Sequence, residues 1–140
     1  MTLEPVRSGV SGRATTVSTH GATFTTAEFA AAILDGDHYP KSASYMGVPA
    51  LIESRTLERR SDGYTILYQR TGGNSLIASR HYVVALKITQ QTETSVVIEW
   101  NLVQHTFNGS SFEGPYASSL NAHLDAVYTP YCHGTWKYDR

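Results

Sequence analysis

The chain has 140 residues, which suits one domain able to build a core without metal or disulfide staples. At 41% hydrophobic and 16% charged residues it has a globular composition, and its net charge of -1 excludes the basic footprint of a nucleic-acid or anionic-membrane binder. The one cysteine, Cys132, excludes an internal disulfide framework and a multi-thiolate zinc site. No apolar run is long enough for an integral membrane segment. Residues 1–13 lack the apolar block of a secretory signal and read as a loose leader. A single cytoplasmic domain over residues 1–140 is the expectation.

In chain order, Thr15, Thr16, Val17 and Thr19 are β-branched and predict a short strand over residues 14–20. Thr25 and Glu28 stand in capping-box spacing, and Phe29, Ala30, Ile33 and Leu34 follow at helical spacing until Gly36 supplies a stop. Pro40 restarts the chain into an expected helical turn over 41–46, ended by Gly47. From there the pattern becomes a meander of strands. Residues 51–60 lead into the Ser61-Asp62-Gly63 hairpin turn, and 64–70 into the turn Thr71-Gly72-Gly73-Asn74. A long strand over 76–90 puts Tyr82, Val84, Leu86 and Ile88 on one face; another over 94–105 does the same with Val96, Ile98, Trp100 and Leu102. Residues 108–122 read as a loop, and 127–138 as a last strand. A helix followed by consecutive long strands, without βαβ alternation, predicts an α+β fold with a curved antiparallel sheet. The expected core is Phe29, Ile33, Val84, Leu86, Ile98 and Trp100.

Catalytic chemistry is sparse in this sequence. None of the six histidines falls in HxH or HExxH spacing, which gives no metal site. Cys132 and His133 are adjacent, so on a strand they point to opposite faces and cannot form a dyad; Cys132 reads as a small buried hydrophobe. No serine stands in a GxSxG elbow, and no phosphate-binding glycine loop occurs, so neither a catalytic residue nor a cofactor is expected. Arg55, Arg59, Arg60 and Arg70 interleave with Glu53, Glu58 and Asp62 and read as a solvated strand surface. Asn108-Gly109-Ser110 reads as a turn. Tyrosines are abundant on the strands, and they suit either ordinary sheet packing or the wall of a cavity. Glu99 and Asn101 oppose Trp100 in parity and are expected to face solvent. Arg80 shares the parity of Tyr82, which makes it a mouth residue, an anchor for an acidic ligand, or half of an ion pair at the sheet end.

Two short stretches, Ser79-Arg80-His81-Tyr82-Val83 and His133-Gly134-Thr135-Trp136, together with the order of elements, resemble the START domains of the SRPBCC superfamily. The resemblance runs from about residue 14 onward and implies a helix-grip fold, in which a curved sheet holds a lipid-like or other apolar molecule against a helix. Inward parity then nominates Arg80, Tyr82, Val84, Leu86, Ile98 and Trp100 as ligand-binding residues, and Tyr68 joins them as a strand tyrosine suited to a cavity wall. His81 stands where the family carries an acid, and Leu86 where sterol-type members carry a base, so a sterol-type polar anchor is not implied. The family's final strand and long C-terminal helix have no counterpart after Trp136; a second copy of the chain, as a homodimer, is one way to supply the missing lid. Three functions fit the scaffold: noncatalytic binding of an apolar small molecule, a polyketide cyclase or aromatase activity, and protein interaction through the open side of the sheet.

Overall fold

The computed structural model describes residues 24–39, 51–73, 78–130 and 133–140. The expected leader, the strand at 14–20, the turn at 41–46 and Cys132 lie outside those residues. The architecture is α+β, as the element pattern predicts. Helix α1 (Thr26–Leu34) starts where the sequence places it, with the Thr25 hydroxyl accepting the Glu28 N–H at 3.0 Å. A 3-10 turn, Gly36–His38, extends it. Gly36 lies so close to Leu67 that a Cβ would fall 2.5 Å from a leucine methyl, so only glycine lets this turn rest on the sheet.

Strands β1 (Leu51–Arg59), β2 (Thr65–Thr71), β3 (Arg80–Gln91) and β4 (Ser95–Leu102) form an antiparallel meander, which β8 (His133–Asp139) continues beside β4. The two-residue strand β7 (Val127–Tyr128) pairs in parallel with the start of β3, where β4 does not reach. Gly63, at φ 92°, makes the β1–β2 turn that Asp62-Gly63 announces. Register shifts in β1 and β3 mark bulges, which bend the strands and increase their twist. The sheet is therefore curved, and it does not close.

Register assigns each side chain to a face. Leu67 pairs with Val84, Leu86 with Trp100 and Ile98 with Trp136, so these residues share the side on which α1 packs. There Ala30, Leu67, Val84, Leu86, Val96 and Ile98 form a buried core. Thr26 ties the helix start to the far end of β3 by donating its hydroxyl to the Thr92 carbonyl at 2.6 Å, and the Asp37 carboxylate accepts the Thr56 N–H of β1 at 2.7 Å. The opposite face has a second core of Ile66, Tyr68, Val83, Phe112 and Leu120.

Residues 103–126 cover that second face. The segment expected to be loop, 108–122, carries the strand β6 (Phe112–Glu113) and the short helix α2 (Ala117–Asn121), and β6 forms a hairpin with β5 (Thr106–Phe107) just before it. It inserts Phe112 and Leu120 into the core. The single last strand expected over 127–138 divides into β7 and β8, with Pro130, which has no amide hydrogen to donate, between them. Of the expected core, Val84, Leu86 and Ile98 are buried, whereas Phe29, Ile33 and Trp100 are half-buried. Glu99 and Asn101 are exposed, as their parity predicts.

If both faces belong to one cooperative fold, Ile98→Ala and Leu120→Ala each cost about 2–5 kcal/mol, the usual range for emptying a packed aliphatic site. Urea denaturation checks this. A loss below about 1 kcal/mol for Leu120→Ala, the level of an ordinary surface change, would show that residues 103–126 lie on the sheet without belonging to its core.

Candidate functional site

On the α1 side burial falls along the strands. In β4, Val96 and Ile98 are fully buried, and Trp100 and Leu102 further on are half-buried. In β3, Leu86 and Val84 are buried, Tyr82 is half-buried and Arg80 is exposed. At the helix end the packing is aromatic: Phe29 stacks on Tyr138 with ring centres 4.8 Å apart, and the Tyr138 hydroxyl donates to the Phe24 carbonyl at 2.8 Å. At the other end the Trp100 indole lies directly over Gly134, where a Cβ would fall 2.4 Å from the ring. The glycine of the His133-Gly134-Thr135-Trp136 stretch thus lets the indole approach the β8 backbone closely. Trp136 stands on the same face and is 49% exposed. Both tryptophans of the chain therefore belong to this side. The Tyr82 hydroxyl donates to the Gln69 side-chain carbonyl at 3.0 Å on this side of the sheet.

Of the residues nominated from sequence, Tyr82, Val84, Leu86, Ile98 and Trp100 are brought together here. Arg80 keeps their parity, but it begins the strand opposite Thr71 and is exposed at the sheet end. Tyr68 does not join them. It pairs with Val83 and is fully buried in the opposite core, so it cannot line the same surface as Val84 and Leu86.

Around Tyr68 the second face holds a polar cluster that sequence reasoning missed. The Tyr68 hydroxyl lies 3.1 Å from Nδ1 of His81, and both residues have 0% exposure. His81 Nε2 has no hydrogen-bond partner among the described residues. His123 stacks on the Tyr68 ring, and the Arg55 guanidinium lies 5.3 Å from the centre of that ring. Glu53 accepts from Arg55 Nε at 3.0 Å and from Arg70 Nε at 3.1 Å, with His123 Nε2 at 3.4 Å. Burial raises the Glu53 carboxyl, but hydrogen bonds from Arg70 and Arg55 outweigh it and hold the carboxyl below its ordinary range. Burial, assisted by Glu53, pushes the Tyr68 phenol up to about 12. Burial, then His123 and Arg70, lower the His81 imidazole, which is accordingly neutral at pH 7.

Glu53 ties Arg55, Arg70 and His123 together, and the buried nitrogen without a partner, His81 Nε2, belongs to a residue with no exposure to solvent. Among the described residues no group of three His, Cys, Asp or Glu side chains is arranged to hold a metal ion, and no helix is long and apolar enough to cross a membrane. Comparison with protein-family models, with curated proteins and with solved structures finds no match.

Removing the hydroxyl in Tyr68→Phe leaves His81 Nδ1 buried without its partner, and should cost about 1–3 kcal/mol in urea denaturation. Unchanged stability would mean that the two groups do not bond in solution.

Proposed function

We propose that the protein is a noncatalytic carrier or sensor of an apolar small molecule, lipid-like or aromatic, held on the helix side of a START-like sheet. One observation carries this reading: both tryptophans stand on that side, Trp100 seated on Gly134 and Trp136 partly open to solvent. Apolar surface gains about 25 cal/mol per Å2 on leaving water, so tryptophans left partly open on one side of the sheet offer surface to a molecule that covers them. The Tyr82–Gln69 pair supplies polar atoms that can orient a ligand on an apolar floor. Arg80, with Tyr82's parity and at the exposed end of the strand, suits the carboxylate of an acidic ligand at the mouth of the site.

The noncatalytic reading is favoured over a cyclase by the position of the titratable groups. Glu53, Arg55, Arg70, His81 and His123 gather on the opposite face, with the sheet between them and any molecule bound beside Trp100. Acid–base catalysis needs its groups within hydrogen-bond reach of the reacting atoms.

Because the two tryptophans are the only ones in the chain, their emission reports on this face alone. Titration with dodecanoate, dodecanol and an anilinonaphthalene sulfonate should shift or quench that emission saturably. Arg80→Met should weaken dodecanoate by about 1.5–3 kcal/mol, the contribution of a charge-assisted hydrogen bond, and leave dodecanol unchanged. Emission unaffected by all three probes would overturn the binding reading. Equal weakening of acid and alcohol would remove Arg80 from it.

A further inference from the structure

We infer that residues 103–126 are an acid-released cover, held shut over the second face of the sheet by His105 and His81 in their uncharged forms. The inference is independent of what binds on the opposite face.

His105 is 8% exposed and does two different things with its ring. Nδ1 lies 3.0 Å from the Val103 carbonyl, a group that only accepts, so Nδ1 carries the hydrogen. Nε2 accepts the Tyr116 N–H at 3.2 Å, at the start of α2. The neutral ring with its proton on Nδ1 satisfies both contacts. The imidazolium carries a hydrogen on each nitrogen and would set a donor against the Tyr116 donor. The ring cannot readily turn away, because Gly114, at φ 144°, approaches so closely that a Cβ would fall 2.5 Å from it. The His105 main-chain N–H is in turn bound to the Tyr128 hydroxyl at 3.1 Å. One imidazole thus fastens the two ends of the β5–β6 hairpin and the entry to α2.

His81 works from beneath. Its ring meets Phe112 of the cover edge-on, with centres 5.9 Å apart, and its buried Nε2 faces no acceptor among the described residues. The imidazolium would carry a charge and an unsatisfied Nε2 donor under the aromatic lid. Arg70 of β2 and His123 beyond α2 oppose that charge, Asp125 favours it, and the Tyr68 hydroxyl is already engaged at Nδ1. Around His105 the titratable neighbours are the phenols of Tyr116 and Tyr128, and the Tyr116 hydroxyl is turned to Glu58.

Burial lowers both imidazoles from the ordinary 6.5, only partly offset at His105 by the Val103 carbonyl. The opened state therefore binds more protons than the closed one. Stability of the cover is complete above pH 6.5 and is lost as pH falls through that value toward the lowered ones. Glu53 remains ionised across this interval because its carboxyl is held below 4.5, so its bonds to Arg55 and Arg70 persist. Release uncovers Ile66, Tyr68 and Val83, an apolar face on the side of the sheet that α1 does not reach.

Hydrogen exchange of the full chain, compared at pH 7.5 and 5.0 after correction for intrinsic rates, tests the device. Amides of 112–121 should lose protection by about tenfold or more at the lower pH, while those of β3 and β4 hold theirs. A His81→Gln, His105→Gln variant should lose this pH dependence. Should that variant fail to fold, the imidazole resonances of the wild-type chain decide: both should titrate below 6.5, together with the loss of protection. Equal protection of 112–121 at both pH values, loss over the whole sheet at once, or histidines that titrate while the cover stays closed would each overturn the inference.

Discussion

Strand β2 is the constraint from which the architecture follows. Its residues Thr65, Ile66, Leu67 and Tyr68 are buried in succession, so apolar side chains leave both faces of the strand at once. A sheet in this position needs two covers, because a large side chain left in water forfeits about 1.5–3 kcal/mol of burial. Helix α1 and the turn after it cover Leu67 on one side, close enough that Gly36 admits no side chain. Residues 103–126 cover Ile66 and Tyr68 on the other, through Phe112 and Leu120.

The two covers differ in chemistry, and the sheet keeps them apart. On the α1 side the partners are aliphatic and aromatic, and the surface opens gradually from Ile98 to Trp100 and Trp136. On the other side a buried tyrosine–histidine pair is rimmed by Glu53, Arg55 and Arg70. A gradient of apolar surface suits a ligand that brings no chemistry of its own. A set of buried neutral imidazoles suits a device that responds to protons. The antiparallel register divides the molecule in this way: neighbours in sequence, such as Leu67 and Tyr68, serve opposite faces.

Much of the α1 face was legible in the sequence, because its elements are long and their periods clean. The alternation Tyr82, Val84, Leu86 and its partner Val96, Ile98, Trp100 survives in the register, and the Thr25 cap and the Asp62-Gly63 turn are where propensity puts them. Tyr68 was misassigned because a strand buried on both sides has no alternation to read. The polar cluster escaped because Glu53, Arg55 and Arg70 carry charges that suit a solvated surface, and only the β1–β2 register brings them to one carboxylate. The cover escaped for a different reason. Its strands have two residues each and its helix five, too short for either period, and the polar run Asn108 to Ser111 hides the anchors Phe112 and Leu120. Pro130 was the available sign that the last strand is two.

The proposal that an apolar ligand binds on the α1 side of the sheet, and not under the cover, is tested most directly by methyl NMR during titration with dodecanoate. The account predicts shifts at Val84, Leu86 and Leu102, with Ile66, Val83 and Leu120 unmoved at neutral pH. Perturbation centred on Ile66, Val83 and Leu120 would place the ligand under the cover instead and contradict the assignment of the two faces.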